Sequence, residues 1–188
     1  MSVPSAAYSI TASYFHWAVA LPTIGSIGCV MKAQQSPKAE KGKWMYRHKS
    51  LGLLVGMIVV PRVTYRLVSR AAYNVRELQG NSSIENVLSS GAHMLLYGFM
   101  TIMPATGVAM GYYGGAGLPF FATKIPGIKK EDKTATTGNI AKNAFKLHKQ
   151  LGVYGKYLVP LHGGAAFMHY FRGQAIFTRI NPFRIPRG

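Results

Sequence analysis

The stretch AFKLHKQLGVYGKYLVPLH, residues 144–162, carries two histidines inside a largely apolar run. His148 and His162 are fourteen residues apart, and this spacing returns a helix to within about 40° of the same direction. At about 1.5 Å per residue, the two imidazoles lie about 21 Å apart along the helix axis. One helix therefore presents two nitrogen ligands on one face at two depths, and a single metal ion cannot bind both.

The surrounding sequence is typical of a polytopic membrane protein. Of its 188 residues, 48% are hydrophobic and only five are acidic. Residues 8–31 and 86–123 contain no Lys, Arg, Asp or Glu. Uncharged runs longer than about 18 residues indicate membrane spans. We therefore expect an integral membrane protein.

Four spans are predicted, at residues 8–31, 45–67, 86–112 and 143–171. The loops between them are residues 32–44, 68–85 and 114–142, and a basic surface tail follows at residues 172–188. Four spans that alternate with loops predict an all-α fold, a transmembrane up-down four-helix bundle. Residues 1–188 then form a single domain. Both termini then lie on one side of the membrane, side A, and the opposite side is side B.

The formal net charge of +17 could indicate a nucleic-acid-binding protein. Here, however, the lysines and arginines cluster in the loops and at the C-terminus, between apolar segments. This distribution is typical of membrane proteins that meet anionic lipid headgroups. We therefore expect membrane lipid rather than nucleic acid as a partner. The single cysteine, Cys29, excludes an internal disulfide and a CxxC motif.

Four of the six histidines match in depth. His16 opens the first span and His162 lies toward the end of the fourth, so both are near side A. His48 and His148 are near the starts of the second and fourth spans, hence near side B. Two pairs at two levels, each bridging two helices, suit bis-histidine ligation of two b haems. The alternatives are histidines that hydrogen-bond across helices and a zinc site, which usually requires four ligands with cysteine among them.

Four further side chains are candidates near side A. His93 and His169 could form a quinone or proton site, or lie at the interface bonded to headgroups or a haem carboxylate. The interfacial interpretation is favoured for His169, and both remain open for His93. Arg62 and Arg66 could extend to the headgroups or bind the carboxylates of a cofactor.

Lys156 lies midway between His148 and His162, where a cation is costly. Its side chain could extend to the membrane surface. A specific alternative is an acidic partner, an anionic lipid or another subunit.

Several motifs together resemble the bacterial-type cytochrome b561 family, whose relatives include the b-type subunits of nickel hydrogenases. The resemblance covers nearly the whole chain. Its pieces are Tyr8-Ser9 with His16-Trp17, Arg47-His48 running into Arg62 and Arg66, Ala92-His93, Met103-Pro104 to Gly107, Gly117 to Phe121, and Leu147-His148 through Leu161-His162 to Phe171.

The resemblance implies that His16 and His162 hold one haem b and that His48 and His148 hold the other. It implies transmembrane electron transfer linked to membrane quinone, with ubiquinone or its quinol as a further cofactor. The unusual basicity, Lys156 and the arginine-rich tail leave an alternative: an accessory subunit acting mainly as a scaffold among other subunits of a respiratory complex.

The orientation stays open. Side B carries about thirteen Lys and Arg residues and side A about eight. The positive-inside rule therefore places side B in the cytoplasm or matrix. The family resemblance favours side A inside.

Overall fold

A computed structural model describes residues 7–75, 77–78 and 80–184, most of which belong to four long helices. These are α1 (Ile10–Gln35), α2 (Lys38–Val68), α3 (Ser83–Tyr113) and α4 (Ala135–Phe171). Shorter elements are a 3-10 helix (Arg70–Tyr73), a helix α5 (Ile176–Arg179), and an antiparallel hairpin of β1 (Leu118–Phe120) and β2 (Thr123–Ile125). The expectation of an all-α membrane fold is confirmed, apart from the small hairpin.

Helix starts are set by short polar side chains. The hydroxyl of Ser9 caps α1 by accepting a backbone N–H at 3.1 Å. Ser82 and Glu85 form a capping box at the start of α3, and Thr134 and Thr137 form another at the start of α4. Each box satisfies backbone N–H groups that have no partner within the helix.

Neighbouring helices run antiparallel. A Cβ at Gly56 of α2 would lie 3.0 Å from Pro104 of α3, and farther along the same pair the guanidinium of Arg62 lies over the ring of Tyr97. On α4, Gly155 leaves room for the ring of Phe99. The starts of α1 and α3 therefore lie at one end, side A, with the ends of α2 and α4.

Three of the helices, α1, α2 and α3, are long and apolar enough to cross a membrane. Among the described residues α4 does not reach that hydropathy, although it has 37 residues. Lysines, histidines, glycines and tyrosines dilute its aliphatic side chains. The prediction of four apolar spans is thus met by three helices and by a fourth of lower hydropathy.

The predicted loop boundaries were wrong in two places. Residues 32–44 were expected to form a loop, but only residues 36–37 separate α1 from α2. Helix α4 begins at Ala135, eight residues before the predicted start of the fourth span. Hydropathy marks where a helix leaves the membrane, whereas the Lys, Glu, Gln and Ala residues within 32–44 favour its continuation into water. The early start of α4 is set instead by the capping box of Thr134 and Thr137.

The buried core lies between the levels of the two histidine pairs. It consists of Val19, Val55 and Val59, with Met100 packed against them. Many large apolar side chains are instead exposed, among them Leu21, Met57 and Leu95. This arrangement, a small interior and an apolar exterior, suits a protein whose helices are surrounded by lipid.

The hairpin closes the side-B end. The hydroxyl of Tyr46 on α2 donates to the carbonyl of Phe121 at 2.7 Å, and the N–H of Phe121 donates to the Ser50 hydroxyl at 3.1 Å. Phe121 adopts a φ of 50° at the turn. The predicted loop of residues 114–142 is therefore wrong in part, because a hairpin on α2 and the first turns of α4 occupy much of it.

The C-terminal tail folds back onto α1. The indole N–H of Trp17 donates to the carbonyl of Ile180 at 2.9 Å, and the ring of Tyr14 packs edge-on against Phe183. Residues 185–188, with the last arginine of the predicted tail, lie outside the described residues. The placement of the tail along the membrane surface stays a prediction.

Candidate functional site

The side-B pair consists of His48 on α2 and His148 on α4. Their ring centroids are 6.1 Å apart. Two imidazole nitrogens that share one metal ion, each at roughly 2 Å from it, place the ring centroids about 6 Å apart. The separation therefore suits one ion between the two rings.

The Nδ1 atom of each side-B imidazole faces a backbone carbonyl. His48 Nδ1 lies 3.0 Å from the carbonyl of Ser26, and His148 Nδ1 lies 3.1 Å from the carbonyl of Met103. A carbonyl only accepts, so Nδ1 carries the proton in both rings and donates it. Nε2 of each ring is thereby left with a free lone pair, the form in which histidine binds a metal.

A hydroxyl strengthens each of these contacts. The Ser26 hydroxyl lies 2.9 Å from His48 Nδ1 and donates to the His48 carbonyl. The Thr106 hydroxyl lies 3.0 Å from His148 Nδ1 and donates to the carbonyl of Met103. Both hydroxyl oxygens are therefore acceptors toward Nδ1, and they fix the same tautomer.

A cavity of about 310 Å³ opens beside the side-B pair. Its walls are mainly apolar, and they include three glycines of α2 and α3. A Cβ at Gly107 would lie 3.4 Å from Cε1 of His148. Gly52 and Gly111 also line the cavity, and Leu118 of the hairpin closes one end. The absence of side chains at these positions leaves room for a flat ring between the helices.

Side A brings three histidines together. The rings of His16 on α1 and His162 on α4 have centroids 6.4 Å apart. His93 on α3 is closer to His162, at 5.2 Å, and its Nδ1 donates to the carbonyl of Ser89 at 2.7 Å. The separation of His16 from His162, rather than that of His93 from His162, matches the roughly 6 Å of two imidazoles on one ion.

Among the described residues no group of three or more His, Cys, Asp or Glu side chains is arranged to hold a metal ion. A closed tetrahedral zinc site needs such a group. Each end of the bundle offers two imidazoles. Such a pair suits a metal ion whose other coordination positions are filled by a macrocycle. Two-histidine ligation of this kind is that of haem b.

Two arginines lie beside the side-A histidines. Arg62 and Arg66 both lie over the ring of Tyr97, at 5.3 and 4.7 Å, and Arg66 also lies over Tyr73 at 4.6 Å. Burial, and then the neighbouring Tyr97, raise the pKa of the Tyr73 phenol to about 12. Tyr73 therefore stays protonated and remains a donor.

Two buried donors of this group have no hydrogen-bond partner among the described residues, Arg62 Nε and the Tyr73 hydroxyl. Unpaired buried polar groups are rare and costly. A bound carboxylate, such as the propionate of a haem, would satisfy such donors. The side-A site thus fits the group that the histidine pair suggests.

The sixth histidine, His169, has a different environment. Its Nδ1 is hydrogen-bonded to the side-chain oxygen of Gln174, whose amide donates to Asn81 at 2.9 Å. His169 therefore links the end of α4 to the loop before α3. None of the described contacts of His169 is with the other three side-A histidines.

Sequence reasoning missed the side chains that surround the histidines. Tyr73 lies in a segment that was expected to be a loop. Tyr97 lies in the third apolar span, where it had no predicted role. The supporting carbonyls of Ser26 and Met103 carry no sequence signal at all. Sequence spacing does not show which aromatic side chain packs against an arginine of a neighbouring helix. That contact depends on the rotation of both helices.

One comparison with known proteins identifies the family. The model of prokaryotic cytochrome b561 matches residues 7–182. A search of curated proteins found no match to the chain. The matched region contains all four long helices and all six histidines, and its three helices of high hydropathy agree with an integral membrane protein. The chain belongs to the prokaryotic cytochrome b561 family, whose members transfer electrons in membranes through b-type haem.

Proposed function

We propose that the chain carries electrons across the membrane through two b haems, one at each end of an up-down four-helix bundle. His48 and His148 hold the side-B haem, and His16 and His162 hold the side-A haem. The observation that carries the proposal is the separation of the rings, 6.1 Å in one pair and 6.4 Å in the other. Fourteen residues of α4 separate the two levels, about 21 Å along its axis.

In this proposal the protein side chains bind the two haems, orient the histidine ligands and keep water away from the region between them. A haem held by two histidines would supply one-electron transfer rather than oxygen chemistry. The carbonyls behind His48 and His148 hold each Nε2 toward the cavity. The buried side chains of Val19, Val55 and Val59 exclude water between the two levels. The reduction potentials of the two haems are then set by contacts with the protein rather than by solvent.

Arg62 and Arg66 have a second role in this proposal. They bind the carboxylates of the side-A haem, since their guanidinium groups are held over Tyr97 rather than extended into the headgroups. A positive charge beside a haem stabilises its reduced form, which carries one positive charge less. Both arginines should therefore raise the potential of the side-A haem.

We further propose that side A exchanges electrons with membrane quinone. His93 is exposed, and its ring lies beside that of His162. Its Nδ1 donates to Ser89, so Nε2 is free to accept a proton from a quinol as the electron leaves. His169 is engaged with Gln174, which favours His93 as the proton acceptor.

A reduced-minus-oxidised spectrum with the haem-to-chain ratio tests the proposal. Two haems per chain, both reduced by quinol on a turnover timescale, are expected. A chain that binds haem without changing redox state would be a scaffold within a larger complex, an alternative that the family assignment does not favour. A ratio of one, or no haem, would contradict the proposal.

A further inference from the structure

The outer surface of α4 carries a row of lysines, here named the α4 lysine face: Lys142, Lys146, Lys149 and Lys156. Three of them, Lys142, Lys149 and Lys156, are seven residues apart, so they lie within about 40° of one another around the helix. All four are exposed. The row begins near side B and continues toward the middle of the membrane.

Lys156 is the deep member of this row. It lies eight residues beyond His148 and six before His162, so it is between the two histidine levels. The preceding residue, Gly155, is buried against Phe99 of α3, and this contact fixes the rotation of the helix. Lys156 therefore points outward, where a lone cation within the membrane is costly.

Neither end of the membrane is near enough to take this charge. Lys149, the next lysine toward side B, is about 10 Å away along the axis, and Arg172 on side A is about 24 Å away. A lysine side chain spans less than either distance. The ammonium lies 4.9 Å from the ring centroid of Tyr157, its neighbour on the same helix.

No ion pair among the described residues reaches this face. The carboxylates are those of Glu40, Glu77, Glu85, Glu131 and Asp132, all in loops or first helical turns. Among the described residues the one ion pair joins Arg172 to Glu85, at 2.6 Å on side A. The charge of the α4 lysine face is therefore uncompensated within the described protein.

Beyond Lys156 the next two turns of this face carry small residues. Pro160, Gly163 and Gly164 continue it toward side A, and a Cβ at either glycine would meet nothing within 4 Å. Small residues allow a second helix to approach closely in a membrane. A second copy of this chain is disfavoured as the occupant, because two such faces would bring like charges together.

We propose that the α4 lysine face binds a membrane-spanning helix of a different polypeptide that carries a carboxylate at the level of Lys156. Further acidic side chains of that helix, one heptad apart, pair with Lys149 and Lys142 near side B. Pairing across the low-dielectric interior compensates the charge of Lys156. The inference does not rest on the haem ligands, because these lysines are exposed on the outer surface of α4.

Photo-crosslinking in the native membrane tests this interface. A photoreactive amino acid replaces Gly164 in the full-length chain, where the added side chain has free space. A second derivative carries the same group at Leu95, which is 64% exposed on the outer face of α3. Each is combined with Lys156→Leu, with Lys156→Arg, and with the loop variant Lys129→Leu as the matched control.

We expect the Gly164 derivative to cross-link one polypeptide, at an apolar segment with Asp or Glu about two turns from the cross-linked residue. Lys156→Leu should reduce this cross-link by roughly tenfold or more, since it removes one partner of a desolvated charge pair. Lys156→Arg and Lys129→Leu should retain it, and the Leu95 derivative should not give it. The haem spectrum should be unchanged throughout, which controls for folding.

Four results would overturn the proposal: cross-links to phospholipid alone, to a second copy, or to a segment without an acidic residue, or a cross-link that Lys156→Leu leaves intact. An exchange of charges completes the test. Lys156→Glu should abolish the cross-link, and replacing the partner's acidic residue by lysine should restore it.

Discussion

The two ends of the molecule hold their histidines differently. At side B each imidazole donates to a backbone carbonyl, glycines surround the rings, and a hairpin closes the end. At side A, neither His16 nor His162 has a hydrogen-bond partner among the described residues, and a third histidine and two arginines crowd the pair. A site whose ligands are held by backbone carbonyls suits permanent retention of a cofactor, whereas a site with an exposed third histidine beside the pair suits exchange with a mobile partner.

Filling the side-B space should have the largest effect. In Gly107→Val, two methyl groups would press on the His148 ring, because a single Cβ already lies 3.4 Å from it. The haem-to-chain ratio should fall from two toward one, with the side-A spectral component intact. Gly28→Val is the matched control, since a Cβ there meets nothing within 4 Å. Retention of both haems in Gly107→Val would remove His148 from the ligand set.

The next largest effect concerns side A. His93→Gln should slow reduction by quinol about a hundredfold, the usual loss for a removed general base. The spectrum after chemical reduction should not change, because His93 is not a ligand in this account. His169→Gln serves as the control and should reduce normally with quinol. A missing side-A haem in His93→Gln would instead identify His93 as the ligand.

Removing one arginine should act more weakly. Arg62→Leu takes away a charge-assisted hydrogen bond, worth about 1.5–3 kcal/mol, from the carboxylate of the side-A haem. We expect roughly ten- to hundredfold weaker retention and a lower midpoint potential of that haem in a redox titration. Arg47→Leu, which removes an arginine packed over Trp44 near side B, should leave side A unchanged. An equal shift in both variants would indicate a general effect of net charge.

The smallest effect is expected behind His148. Thr106→Val removes the hydroxyl near Nδ1, but the Met103 carbonyl remains as acceptor. Side-B haem should be lost less than tenfold faster, below the ten- to hundredfold typical of a lost outer-shell partner. Thermal release followed by absorbance measures this rate. Complete loss of the haem would mean that the hydroxyl, not the carbonyl, orients the ring.

Depth could be predicted from sequence because the rise of a helix per residue is fixed. Counting residues from the span starts put His16 beside His162 and His48 beside His148, and the structure brings these rings together. Rotation and tilt of the helices are not fixed by sequence spacing. The approach of His93 to His162 depends on both, and so it could not be derived.

The ends of the helices do not coincide with the ends of the apolar runs. Hydropathy indicated where each apolar run stops, but α2 and α4 begin in charged segments that leave the membrane. Thr134 with Thr137 forms a capping box that signals the true start of α4. The lower hydropathy of that helix reflects the lysine face and the ligands that it carries.

Pairwise removal of the four histidines tests the central claim most directly. His16→Ala and His162→Ala should each abolish the same spectral component, and the double variant should add little, because both hold one haem. His48→Ala and His148→Ala should abolish the other component in the same way. If His16→Ala and His48→Ala abolished one component together while His162→Ala affected the other, the two-level arrangement would be contradicted.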